Sequence, residues 1–159
     1  MDDTKTYFAL REAGITLVLS EGRDRLYPEP ADILSAHLAA ALADNHEMLL
    51  KQELLREVLR FLTERFRQRD GNPEGDYTPS AATRAAFEIM AVHQELISDD
   101  MNELDCEGFK QSLRRYSRSM IEAYDNARQR LETEGADVAQ PSGNTAAEQS
   151  SGPLQESLL

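Results

Sequence analysis

The side chains able to transfer protons, attack carbonyls or bind metal are few in this chain and poorly spaced for that work. His37, His46 and His93 are far apart and have no partner at ligand spacing, which reads as surface or helix-packing histidine. Cys106 is the single cysteine, so no intramolecular disulfide can form and a thiolate zinc site lacks ligands. It sits between Asp105 and Glu107, whose charges oppose thiolate formation. No phosphate-cradling glycine loop, nucleophile elbow or HExxH pair is present. The abundant carboxylates fall on faces expected to be solvated. The expectation is a protein that is not an enzyme and has no cofactor and no metal.

Binding chemistry is easier to find. Ile15-Thr16-Leu17-Val18-Leu19 is β-branched and apolar, and Ser20 to Asp24 supplies a turn. Arg25-Leu26-Tyr27 can then return as a second strand, stopped by Pro28 and Pro30. A two-stranded hairpin leaves backbone N–H and C=O groups along its edges, which an extended peptide can pair with. Leu17, Leu19, Arg23, Arg25 and Tyr27 are the candidate protein-binding residues, the arginines being suited to an acidic segment. Arg114, Arg115 and Arg118, near Phe109 and Tyr116, are a possible nucleic-acid patch, although core packing explains the two aromatics better.

The chain has 159 residues, 40% of them hydrophobic, and a formal net charge of −12. That charge repels phosphates at long range, so general nucleic-acid affinity is not expected. The N-terminal MDDTKTYF lacks the basic flank and apolar core of a signal peptide, and no apolar run reaches bilayer length. A cytoplasmic protein with no membrane contact is expected.

Hydrophobic periodicity places the elements. Thr4 to Ala13 suits a short helix with Phe8 and Leu10 inward, stopped by Gly14. Ile33, Leu34, Leu38, Ala41 and Leu42 repeat at helical spacing, and a broad-faced helix follows from about His46 to Arg69. Glu53/Arg56, Glu57/Arg60 and Glu64/Arg67 are expected to pair on its exposed side. After the loop from Asp70 to Asp76, Thr78-Pro79 predicts the cap and first residue of a helix reaching about Ile97. That helix should bury Ala82, Ala86, Phe87, Ile89, Met90 and either Val92 or Leu96. Phe109, Leu113, Tyr116, Met120, Tyr124, Ala127 and Leu131 form one further stripe. Beyond about Gly135 the composition predicts disorder.

The order Leu10, Gly14, Ile15, Leu17, Leu26, then a helix from Ile33 to Ala43 and a closing Met48-Leu49-Leu50, resembles the TubC-type N-terminal docking domain. Pro28-Glu29-Pro30 stands where that family often carries a lysine–glycine loop. The resemblance implies an αββαα module over residues 1–50, often dimeric, whose hairpin captures a short segment of a partner protein. Such domains also occur on replication proteins of mobile elements, which implies an accessory role there. A helical extension of two or three helices over 51–134 and a disordered tail over 135–159 complete a mainly α fold with a small β-hairpin. The tail ends Gln155-Glu156-Ser157-Leu158-Leu159, similar to the bacterial sliding-clamp-binding peptide. In that reading Gln155, Ser157, Leu158 and Leu159 enter the clamp and make the chain a replication accessory protein. A homodimer is a further possibility.

Overall fold

The computed structural model describes residues 1–71 and 79–139, with side chains described as far as residue 134. It is mainly helical with one small antiparallel hairpin near the N-terminus. In order come α1 (Asp3–Glu12), β1 (Thr16–Leu19), β2 (Leu26–Glu29), a 3-10 turn (Ala31–Ile33), α2 (Ala36–Asp44), α3 (His46–Arg69), α4 (Ala81–Val92), α5 (Gln94–Glu103) and α6 (Cys106–Ala139). None of the described helices is long and apolar enough to cross a membrane.

The entry into the hairpin is set by local chemistry. Asp2 caps α1 by accepting from the Lys5 N–H at 2.8 Å. At the other end Gly14 takes φ +84°, a left-handed conformation open to glycine without strain. The Gly14 N–H then donates to Arg11 C=O, and the Ile15 N–H to Leu10 C=O, at 3.0 and 2.9 Å. These two bonds are the Schellman pattern, and its usual apolar contact is supplied by Ile15 and Leu10, both buried in the core. Phe8, expected inward, is 60% exposed, and Thr6 takes the buried position instead. Thr6 is one turn before Leu10 on the inner face, and its hydroxyl is satisfied by Asp2 C=O.

Three element boundaries differ from the sequence reading. Pro28 does not stop β2 but lies within it, opposite Leu17. Ile33 belongs to the 3-10 turn and is half exposed, because Ser35 caps α2 by accepting from the Leu38 N–H. α4 is capped by Ser80, whose Oγ accepts from the Thr83 N–H at 3.1 Å, so Pro79 lies before the helix. Thr78 lies outside the described residues, as do 72–77 of the expected loop.

The anticipated single helix to Ile97 is two helices that share His93 as end and start. The turn sends Ile97 into the core and leaves both Val92 and Leu96 outside. Leu131, last of the α6 stripe, is also about half exposed.

One continuous apolar core runs from Leu10 and Ile15 through Leu54, Val58 and Leu62 to Phe109, Leu113 and Ala127. α3 supplies its axis, contributing eight buried residues, two of them charged. The expected boundary between residues 50 and 51 falls inside α3, which therefore serves both halves. Phe66 stacks on Tyr124 with ring centroids 4.7 Å apart and meets Phe87 edge-on at 5.9 Å.

Polar contacts complete the helical half. Asp70, at the end of α3, accepts from Ser80 Oγ, Thr83 Oγ1 and Tyr124 Oη at 2.8, 2.8 and 2.7 Å, and from the Ser80 N–H at 3.2 Å. One carboxylate thus joins the ends of α3 and α4 to the middle of α6. Buried Lys51 donates from Nζ to the carbonyls of Met101 and Leu104 at 2.8 and 2.5 Å, neutralising the C-terminus of α5.

Burial, followed by the hydrogen bond to Asp70 and its charge, pushes the Tyr124 hydroxyl from its ordinary value of 10 up to about 12. A folded-state value above the unfolded one means the folded protein holds the proton more tightly. The contribution is complete below pH 10 and is lost as pH rises through 10 toward 12. The stability difference between wild type and Tyr124→Phe, followed by urea unfolding, should therefore shrink by roughly 2 kcal/mol across that interval. Asp70→Ala should lower stability by about 2–4 kcal/mol at pH 7, because three side-chain donors lose their acceptor together.

Candidate functional site

The two edges of the hairpin differ in their free hydrogen-bonding groups. The ladder pairs Thr16 with Glu29, Leu17 with Pro28, Val18 with Tyr27 and Leu19 with Leu26. At its turn end the Ser20 N–H donates to Arg25 C=O at 2.9 Å. Antiparallel pairs alternate between hydrogen-bonded and non-bonded, so Val18/Tyr27 and Thr16/Glu29 point their backbone groups inward between the strands. Leu17, Leu19, Leu26 and Pro28 therefore point theirs outward. Pro28 fits inside the strand for this reason: its missing N–H belongs to the outer edge and removes no ladder bond.

The outer edge of β2 offers no free N–H. The Leu26 N–H donates to His46 Nε2 at 3.1 Å, and Pro28 has no N–H to offer. His46 must carry its ring proton on Nδ1 to accept in this way. The outer edge of β1 is open: the N–H and C=O groups of Leu17 and Leu19 have no partner among the described residues. The side chains of both leucines are half-buried and pack toward the core, so this edge is held on a rigid base.

The remaining candidates divide between structure and surface. Arg23 is in the left-handed region at φ 57°. Its Nε lies 3.0 and 2.8 Å from the two Glu57 oxygens, and another guanidinium nitrogen is 2.6 Å from Oε2. This bidentate pair ties the hairpin turn to α3 and raises the Arg23 pKa, chiefly through the Glu57 hydrogen bond. Glu57, expected to pair with Arg60, is thus committed elsewhere. Glu53, expected on the exposed side, is buried while bonded to Arg56.

Arg25 and Tyr27 are exposed and adjacent, the guanidinium 6.0 Å from the ring centroid. Tyr27 stands beside Val18 on the solvent face of the hairpin, and both are partly accessible. Opposite the edge, the Ser20 hydroxyl donates to Asp24 and lowers its pKa, which stabilises the turn. Gln155, Ser157, Leu158 and Leu159 lie outside the described residues.

Some of the side chains that could carry chemistry are engaged in structure. Ser112 is fully buried and donates to Asp100 Oδ2 at 2.5 Å, and Tyr116 Oη lies 3.3 Å from the same oxygen. The His93 ring lies 5.8 Å from that of Tyr116 between centroids, and no hydrogen bond joins a histidine to Ser112 among the described residues. Burial first, then the Asp100 charge, pushes the Tyr116 hydroxyl up. Cys106 is likewise held in its thiol form, by burial first and then by Glu47, with Asp105 adding a smaller share. Among the described residues no group of three or more His, Cys, Asp or Glu gathers at metal-binding geometry. Phe109 is fully buried and Tyr116 half-buried, which takes both aromatics from the arginine patch of α6.

Sequence reasoning did not find the role of His46. A histidine at a helix start, twenty residues from the strand N–H it accepts from, carries no local signal. Comparison with protein-family models, with curated proteins and with solved structures finds no match to this chain.

His46→Ala should expose the Leu26 N–H, and hydrogen exchange at that amide should quicken by at least about tenfold, the effect of losing about 1.4 kcal/mol of protection. The rates of buried α6 amides should not change.

Proposed function

We propose that this chain is a non-catalytic docking protein that captures an extended segment of a partner protein along the outer edge of β1. The observation that carries the reading is the asymmetry of the hairpin: Leu17 and Leu19 present both N–H and C=O groups, whereas the outer edge of β2 has its N–H donors taken by His46 or missing at Pro28 and offers carbonyls alone. An added strand could make up to about four backbone hydrogen bonds with those two residues. Main-chain pairing supplies affinity, and selectivity comes from the side chains beside it. On the solvent face those are Thr16 and Val18, with Tyr27 and Arg25 one strand further off on the β2 side, within reach only of a long side chain of the incoming segment. Arg23 does not contribute directly; it holds the turn against α3 through Glu57. The free edge is only four residues long, which limits aggregation and suits a short peptide rather than a whole sheet.

Proline at position 17 is the sharpest test. In this register Leu17→Pro removes an outward N–H and leaves the ladder intact, while Val18→Pro breaks the ladder and serves as the unfolding control. With a partner identified by cross-linking in the native host, Leu17→Pro should weaken binding at least about tenfold relative to Leu17→Ala, which loses the same core-facing side chain but keeps the N–H. The Leu17 and Leu19 amides of the wild type should gain hydrogen-exchange protection in the complex. Undiminished binding by Leu17→Pro, or protection only elsewhere, would sink the proposal. A full-length dimer that Leu17→Pro splits would assign the edge to a second copy of the chain.

A further inference from the structure

The geometry points to a second, separate docking surface at the corner between α4 and α5, built for a partner segment that presents apolar residues flanked by lysine or arginine. Val92 is 75% exposed and Leu96 53%. They lie on either side of His93, the residue at which one helix ends and the next begins. On α5, Leu96, Asp99 and Glu103 recur at i, i+3 and i+7 and so share one face, away from buried Ile97. On α4, Val92 shares a face with Glu88, one turn earlier. Glu88, Glu95, Asp99 and Glu103 are all exposed.

Charge decides what such a corner would accept. Between Ala85 and Phe109 the chain has seven carboxylates and no lysine or arginine. Three of the seven are occupied: Asp100 by Ser112, Asp105 by the Gly108 N–H, and Glu107 by Lys110. The other four are those just named and have no ion pair among the described residues, so the apolar corner has a negatively charged rim. A second copy of this chain, with the same rim and a net charge of −12, would be repelled from it. A basic amphipathic segment satisfies both the apolar centre and the rim, and the field of the acidic protein would speed its approach. This surface uses none of the hairpin residues and does not depend on the β1 edge.

The probe is a short helical peptide of leucine and lysine, with its glutamate-for-lysine counterpart as control, titrated into the isotope-labelled full-length chain at about 50 mM salt. Saturable binding of the lysine peptide is expected, with the largest amide shifts between Glu88 and Glu103 and none from the glutamate peptide. Val92→Ser/Leu96→Ser should weaken it at least tenfold, and both positions are exposed enough to leave the fold intact. Glu95→Gln/Asp99→Asn/Glu103→Gln should weaken it severalfold at low salt and have little effect at high salt. Shifts spread evenly over the acidic surface, or binding indifferent to the Val92/Leu96 pair, would overturn the site. So would a dimer in sedimentation that Val92→Ser/Leu96→Ser dissociates.

Discussion

A helix that is apolar around most of its circumference must be covered on more than one side, and α3 imposes that constraint on the whole molecule. Leu49, Leu50, Leu54, Val58, Leu62 and Phe66 are all within the core, so neighbours have to approach from several directions. α1, the hairpin and the end of α5 meet its first half, while Phe87 of α4 and Tyr124 of α6 cover Phe66 near its far end. Burying that many large side chains contributes on the order of 10 kcal/mol or more before chain entropy is set against it. The polar contacts do not supply this driving force. They select one arrangement among several that would bury similar area.

Their placement shows how. Arg23–Glu57 and Leu26–His46 fasten the hairpin to α3, Lys51 ends α5 against it, and Asp70 joins it to α4 and α6. Each polar group buried at these points has a partner, without which desolvation would be unfavourable by about 1–3 kcal/mol. The same fastenings make the two strands unequal. β2 is attached through its outer edge to the helical body by the Leu26 N–H, and with Pro28 beside it that edge has no donor left. β1 is attached only through its side chains and keeps its outer backbone groups. A short strand on a rigid base itself loses little entropy when another strand is added.

Much of the fold could be read from residue patterns. The α3 limits, the Gly14 stop, the turn after Leu19 and the disposition of strands and helices all follow from local chemistry, since caps, left-handed glycine and periodicity act over one or two turns. The misreadings share a cause. Phe8 and Leu131 satisfy the apolar pattern, yet no neighbouring element arrives to cover them. Val92 and Leu96 likewise fit one continuous helix, which is interrupted because α5 must turn to place Ile97 in the core and its C-terminus on Lys51.

The sequence by itself determined the helical class, the hairpin, the scarcity of catalytic groups and the negative charge, because each depends on composition or on residues close in the chain. It also placed Leu17, Leu19, Arg23, Arg25 and Tyr27 on one small hairpin. Only the tertiary structure decided which of these are left exposed and which are tied to the helical body. Arg23 is taken by a glutamate thirty-four residues away, and the Leu26 N–H by a histidine twenty residues away. Such pairings arise when packing of α3 brings distant segments together, and no spacing within either segment encodes them.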